Sequence, residues 1–276
     1  MPVAKNALNA HVSGQGPDVL VLVHGFGSDQ SVWKTYLPWL TRHYRVITYD
    51  LPFAGKADPS FFKLSRHGAI EGHAQDLFDI LRSYSVERCS FVGHSLGGLI
   101  GIFAAIERPQ MFERLILLGT SARYVDGPDY KGGFNAEILE TMFETVAQNF
   151  RAWAEAYVPA TLGKPLADPV AQSFLESLMR TRPDIAIAMA RPIFLGDYRE
   201  HVKQCTVPVV LLQTKEDSAV PIEAAQTLQQ CLQHCVLEII NAEGHMPHLS
   251  APYAVAAALR RHLPQMRAPL KEGSLG

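Results

Sequence analysis

Long apolar runs are missing from the start of this chain. The longest near the N-terminus, Val19–Val23, is too short to cross a bilayer. No charged region followed by a long apolar stretch precedes it, so neither a signal peptide nor a membrane span is expected. Cysteine is scarce, with four in 276 residues: Cys89, Cys205, Cys231 and Cys235. Cys231 and Cys235 lie close together, but no CxxC or histidine-rich partner accompanies them, so neither a zinc site nor a disulfide framework is expected. A reduced, cytoplasmic protein is the expectation. An excess of one charge sign is also missing. The formal net charge is −2 with both signs scattered, which points away from nucleic acid and from anionic membranes. Neither GxxxxGK[ST] nor GxGxxG occurs at the glycine-rich stretches, so no nucleotide cofactor is expected, and no metal.

What is present is apolar, with 47% of residues hydrophobic, enough for one sizeable core. Val19–Val23 ("VLVLV") suits a strand covered on both faces. Arg45–Asp50, Cys89–Gly93, Leu115–Gly119, Val207–Gln213 and Val236–Ile240 read the same way. Helical patterns at Ser31–Arg42, Gly72–Tyr84, Leu99–Arg108, Ile222–Leu232 and Tyr253–His262 fall between or after them. This alternation predicts an α/β fold with a mainly parallel sheet and helices on both faces. Residues 130–199 break the alternation. They are helical in pattern, rich in aromatics and cut by Pro159, Pro165, Pro169, Pro183 and Pro192, which predicts short helices in a cap over one end of the sheet. The chain therefore divides into a core of 1–129 and 200–264, a cap of 130–199 and a loose tail of 265–276.

Between the third strand and its helix the chain reads "FVGHSLGGLIG". Gly93-His94-Ser95-Leu96-Gly97 fits G-x-S-x-G, a sharp strand-to-helix turn that lifts a serine hydroxyl out of the sheet. Glycine at the flanking positions removes clashes with neighbouring strands. The following helix turns its free N–H groups towards the serine. A serine hydroxyl needs a base, and the base needs a group to fix its tautomer. In chain order these should be serine, acid and histidine, each after a strand. Asp217 follows Val207–Gln213, and His245 follows Val236–Ile240.

Other residues compete for these roles. Glu216 adjoins Asp217, Glu243 lies near His245, and Asp126 follows an earlier strand, but each fits a loop residue better. His248 is a second candidate base, although it sits at a helix entrance. His94 should face away from the hydroxyl. Oxyanion donors are expected from the N–H of Leu96 and from the loop His24-Gly25-Phe26-Gly27, where Phe26 N–H is the natural candidate and His24 braces the loop.

HGFGSDQSVW, GHSLGG, YKGGF at Tyr130–Phe134, NFRAWAEAY, TRPDIA and EGHMPHLS together resemble one branch of the α/β-hydrolases. That branch holds plant strigolactone receptors, karrikin-receptor-like proteins and the bacterial stress-signalling hydrolase RsbQ. The resemblance covers about Asn9 to His262 and includes cap motifs. It implies a Ser95-His245-Asp217 triad and a V-shaped cap of four helices over a deep apolar pocket. It also implies substrate contacts from Phe26, Tyr124, Phe134, Trp153, Tyr157, Phe174 and Phe194. Leu96-Gly97-Gly98 and Ala219 depart from the plant receptors, and both point away from that particular hormone.

The expected activity is hydrolysis of a small apolar ester or lactone, with no cofactor. A butenolide-type ligand follows from the resemblance alone. The alternative is a hydrolase-derived receptor for a small lactone, whose protein partner would be an F-box protein in a plant or a phosphatase regulator in a bacterium. In a plant it would also be nuclear. A cofactor-free haloperoxidase or carbon–carbon hydrolase shares the triad. Epoxide hydrolases and haloalkane dehalogenases need a carboxylate where Ser95 stands.

Overall fold

A computed structural model describes residues 4–265; the expected tail beyond 265 lies outside the described residues. Seven strands form one sheet: β1 (His11–Ser13), β2 (Asp18–Val23), β3 (Tyr44–Thr48), β4 (Cys89–His94), β5 (Phe112–Leu118), β6 (Val209–Glu216) and β7 (Cys235–Glu243). Their order is β1-β3-β2-β4-β5-β6-β7. All pairs are parallel except β1 with β3.

The apolar strands alternate between two cores, as a period of two requires. Val19, Val21 and Val23 face one side, and Leu20 and Leu22 face the other. Leu115 and Leu117 separate from Ile116 and Leu118 in the same way. The first side is covered by the helices Ile70–Ser83 and Leu96–Glu107, the second by Trp33, Tyr36, Trp39 and the helix Pro252–His262.

The chain reverses its direction of travel across the sheet at β2. β3 lies on one flank of β2 and β4 on the other. The crevice at the carboxyl ends of two such strands is where open parallel sheets place ligands. Here those ends carry the loop from His24 and the turn at Ser95.

Four longer helices, Ala136–Gln148, Phe150–Leu162, Pro169–Met179 and Pro183–Leu195, and the short helix Arg199–Val202 connect β5 to β6. The first packs against the second and the fourth, and the second against the third. Pro169 and Pro183 open their helices, where a missing N–H costs nothing. Pro159 and Pro192 do not cut helices, contrary to the sequence reading. Each sits near a helix C-terminus, where only one intrahelical bond is lost and the buried face holds the helix together.

Two further differences have local causes. The segment read as one helix over Ser31–Arg42 is a 3-10 turn, Gln30–Trp33, followed by a short helix, Leu37–Leu40. Pro38 supplies no N–H to continue the first into the second. Strand β1 was not legible, because all three of its residues are exposed and carry no apolar alternation.

Candidate active site

Ser95 follows β4 at φ 51° and ψ −115°, a conformation that non-glycine residues rarely adopt. The turn is tight enough to exclude side chains on both flanks. A Cβ at Gly93 would lie 2.6 Å from the Gly97 backbone, and one at Gly97 would lie 2.6 Å from the carbonyl oxygens of Val23 and His24. The helix Leu96–Glu107 starts at the next residue.

Ser95 Oγ lies 3.0 Å from His245 Nε2. His245 Nδ1 lies 2.9 Å from Asp217 Oδ2 and 3.1 Å from Oδ1. The three groups come from the ends of β4, β7 and β6, so imidazole and carboxylate must reach across the end of β5. Gly119 makes the passage. It leaves β5 at φ 54°, and a Cβ there would meet the His245 ring at 3.2 Å and Asp217 Oδ2 at 3.4 Å.

Asp217 is held from several directions. Its Oδ1 accepts the N–H groups of Ala219 (2.8 Å) and Val220 (2.9 Å), and Gln213 Nε2 donates to Oδ2 at 3.1 Å. Burial pushes its carboxyl up, but the attraction of His245 and these hydrogen bonds outweigh burial and hold it below the usual carboxylate range. An ionised Asp217 accepts from Nδ1–H, which leaves Nε2 as the acceptor for the serine proton. Ser95 has one proton to give. Tyr124 Oη, 3.3 Å from Ser95 Oγ, is therefore the donor in that contact, and burial raises its phenol well above the ordinary value.

The two peptide planes expected to supply oxyanion donors are each held through their carbonyls. The Gly25 carbonyl accepts from His24 Nδ1 at 2.8 Å and from Ser28 Oγ at 3.0 Å. The N–H of Leu51 donates to His24 Nε2 at 3.0 Å, which fixes the proton on Nδ1. In a trans peptide the N–H points opposite to the carbonyl, so Phe26 N–H is directed away from these anchors. The Ser95 carbonyl is pinned likewise by Gly98 N–H (2.9 Å), Leu99 N–H (3.2 Å) and Thr120 Oγ1 (3.3 Å). That orients Leu96 N–H.

The competing residues are elsewhere engaged. Asp126 Oδ1 accepts from Gly132 and Gly133 N–H in a turn. Glu216 and Glu243 are exposed on β6 and β7. His248 is fully buried, stacked on Trp33 with ring centroids 5.0 Å apart, and burial lowers its pKa to about 3. His94 Nε2 bonds the His245 carbonyl at 2.8 Å, away from the serine. Burial, then His248 and His245, hold His94 well below the ordinary imidazole value.

Phe26, Tyr124, Tyr157 and Phe194 line the cavity at Ser95, together with Ala219. Phe134, Trp153 and Phe174 do not reach its wall. Trp153 stacks behind Tyr157 at 4.8 Å, one helical turn away, and Phe134 packs edge-on behind Phe194 at 5.4 Å. Phe174 sits behind Tyr157 at 6.3 Å. The cavity itself is about 10 Å³, room for one water rather than the deep pocket the resemblance implied. Tyr157 and Phe194 from the insert helices, with Phe26 and Tyr124 from the loops after β2 and β5, fill the space.

The sequence reading missed Ser28, Thr120, Gly119, Gln213 and Thr161. Thr161 accepts the N–H of His245 through its carbonyl at 2.8 Å. Gln213 carried a signal, since it is the one polar residue closing an apolar strand run, and it is buried. The described residues hold no group of three or more His, Cys, Asp or Glu able to bind a metal, and no helix long and apolar enough to cross a membrane. All four cysteines are free.

Comparison with known proteins places this geometry. The chain is 39% identical over 260 residues to the strigolactone esterase D14 of Arabidopsis thaliana, covering 94% of this chain and 97% of that one. It is 38% identical over 260 residues to the karrikin insensitive 2 receptor IA of Petunia hybrida, covering 94% and 95%. A solved hydrolase from Oleispira antarctica superposes with a TM-score of 0.89 at 27% identity, covering 94% and 95%. Residues 20–258 match the alpha/beta hydrolase family. With its parallel sheet, its strained serine turn and these relatives, the chain belongs to the alpha/beta hydrolase family.

Proposed function

We propose that the protein is a serine hydrolase for a small, largely apolar ester or lactone. The observation that carries the reading is the unbroken relay from Ser95 Oγ to His245 Nε2 at 3.0 Å and from His245 Nδ1 to Asp217 at 2.9 Å. Ser95 attacks the carbonyl carbon while His245 takes its proton. The oxyanion sits on the N–H groups of Phe26 and Leu96. His245 returns the proton to the leaving oxygen, an acyl-Ser95 remains, and water activated by His245 releases it. Asp217 holds the imidazole and balances its charge. The chemistry needs no cofactor. Residues 130–199 act as the cap over a core of 1–129 and 200–264, and the free cysteines suit a cytoplasmic location.

The nearly closed cavity and a relative named as a receptor favour a second reading. In it, the same site cleaves a small lactone slowly and retains the product while the cap presents a surface to a signalling protein. One experiment separates the two: turnover of p-nitrophenyl acetate and a butenolide panel, with melting temperature followed in parallel. Steady turnover with no shift in melting supports the enzyme. Less than one turnover per minute with a shifted melting temperature supports the receptor. No hydrolysis of any ester or lactone overturns both.

A further inference from the structure

A second pocket, open to solvent past Ser31, Pro169 and Ser173, lies beside the first, between the helix Pro169–Met179 and the turn Gln30–Trp33. Its volume is about 260 Å³, far larger than the space at Ser95. At about 30 Å³ per water-sized group, it holds roughly nine such groups. Val32, Pro169, Val170, Phe174 and Leu249 supply its apolar walls, and no charged side chain lines it. Two of its hydroxyls are already committed. Ser28 Oγ donates to the Gly25 carbonyl, and Ser177 Oγ donates to Asp29 at 3.0 Å. The walls therefore reject an ionic ligand and accept an alkyl group.

Phe174 divides the two spaces. It lines the larger cavity, and its ring packs 6.3 Å from Tyr157, which lines the smaller one. The same helix covers the oxyanion loop, since a Cβ at Gly27 would lie 2.9 Å from Leu178 and 3.6 Å from Phe174. An ester carbonyl held at Phe26 N–H thus has the side cavity next to it, with the rings of Tyr157 and Phe174 in between.

We propose that the side cavity receives the alkyl arm of the substrate, reached by rotation of the Phe174 and Tyr157 rings, and that the substrate class is esters with a linear apolar arm of about six to eight carbons. This deepens the serine-hydrolase reading and rests on it. The same ring movement would widen the one-water space at Ser95 to admit the reacting ester group.

The test uses Ser173→Trp, which places an indole in the cavity from an exposed helical position. Val170→Trp is the second variant, with circular dichroism confirming that each folds. The kcat/KM ratio of p-nitrophenyl octanoate to p-nitrophenyl acetate is expected to fall at least tenfold. Octyl acetate, which carries the arm on the alcohol side, is measured in parallel. A fall for either long ester supports the proposal and tells which side enters the cavity. Ratios within twofold of the wild type for both overturn it. Calorimetric binding of methyl octanoate to Ser95→Ala, with and without Ser173→Trp, needs no turnover. Binding weakened tenfold supports the side cavity, and unchanged binding overturns it. If the wild type hydrolyses no ester at all, the catalytic reading fails and the binding arm still decides the cavity.

Discussion

The backbone N–H of His245 donates to the carbonyl of Thr161, 2.8 Å away in the last turn of the insert helix Phe150–Leu162. One residue earlier, the carbonyl of Ala160 accepts Ser218 Oγ at 2.9 Å, next to Asp217. Carbonyls at a helix C-terminus have no intrahelical partner. Gly163, in the left-handed conformation, closes the helix by satisfying Pro159. The next two carbonyls hold the histidine and acid loops. The position of this helix therefore sets the position of two of the three relay residues.

Ser218→Ala removes the side-chain half of that attachment. A hydrogen bond of this kind contributes about 0.5–1.5 kcal/mol, so kcat should fall up to about tenfold as Asp217 loosens. KM for p-nitrophenyl acetate should stay nearly constant. Steady-state kinetics check this, and an unchanged kcat contradicts the coupling.

Ser28→Ala should weaken oxyanion stabilisation without touching the relay. The Gly25 carbonyl would keep only His24 Nδ1 as a side-chain donor, and the Phe26 N–H would be less firmly aimed. Losing an oxyanion donor outright costs about 3–4 kcal/mol, and loosening one should cost a fraction of that. We expect a three- to thirty-fold loss of kcat, roughly 0.7–2 kcal/mol, read by single-turnover kinetics.

Gly119→Ala should damage both stability and rate. It places a side chain at φ 54° and pushes a methyl within 3.2 Å of the His245 ring. The backbone strain alone is worth about 1 kcal/mol. Displacing the imidazole should lower kcat by more than tenfold. Full activity in this variant would show that the relay does not need the passage over β5.

Stability should fall in mild acid. Burial lowers the pKa of His24, His73, His94 and His248, with His73 and His248 at about 3. The unfolded chain binds their protons below about pH 6.5 and the folded chain does not. Stability is thus intact above that pH and declines as pH falls through it. The slope approaches about 1.4 kcal/mol per pH unit each for His73, His94 and His248, with a further contribution of the same sign from His24. Urea unfolding between pH 7.5 and 5 measures it, and a flat profile would contradict four buried neutral imidazoles.

The sheet was legible because its strands are long apolar runs that only a doubly covered sheet can bury. Ser95, Asp217 and His245 were legible because glycines and strand ends frame them. The insert was legible as helical, but Pro159 and Pro192 misled, because proline near a helix C-terminus costs little. Closure of the cavity was not legible. Phe174 and Trp153 share the composition of a pocket wall, and only the packing of the helices places them behind Tyr157. Backbone anchors such as the Thr161 carbonyl leave no mark on residue identity.

The most direct test of the central claim is mass spectrometry of the intact protein during turnover of p-nitrophenyl acetate, followed by peptide mapping. The account predicts one acetyl group on Ser95, and neither adduct nor turnover in a folded Ser95→Ala variant. An adduct on another residue, or hydrolysis that survives in Ser95→Ala, would contradict it.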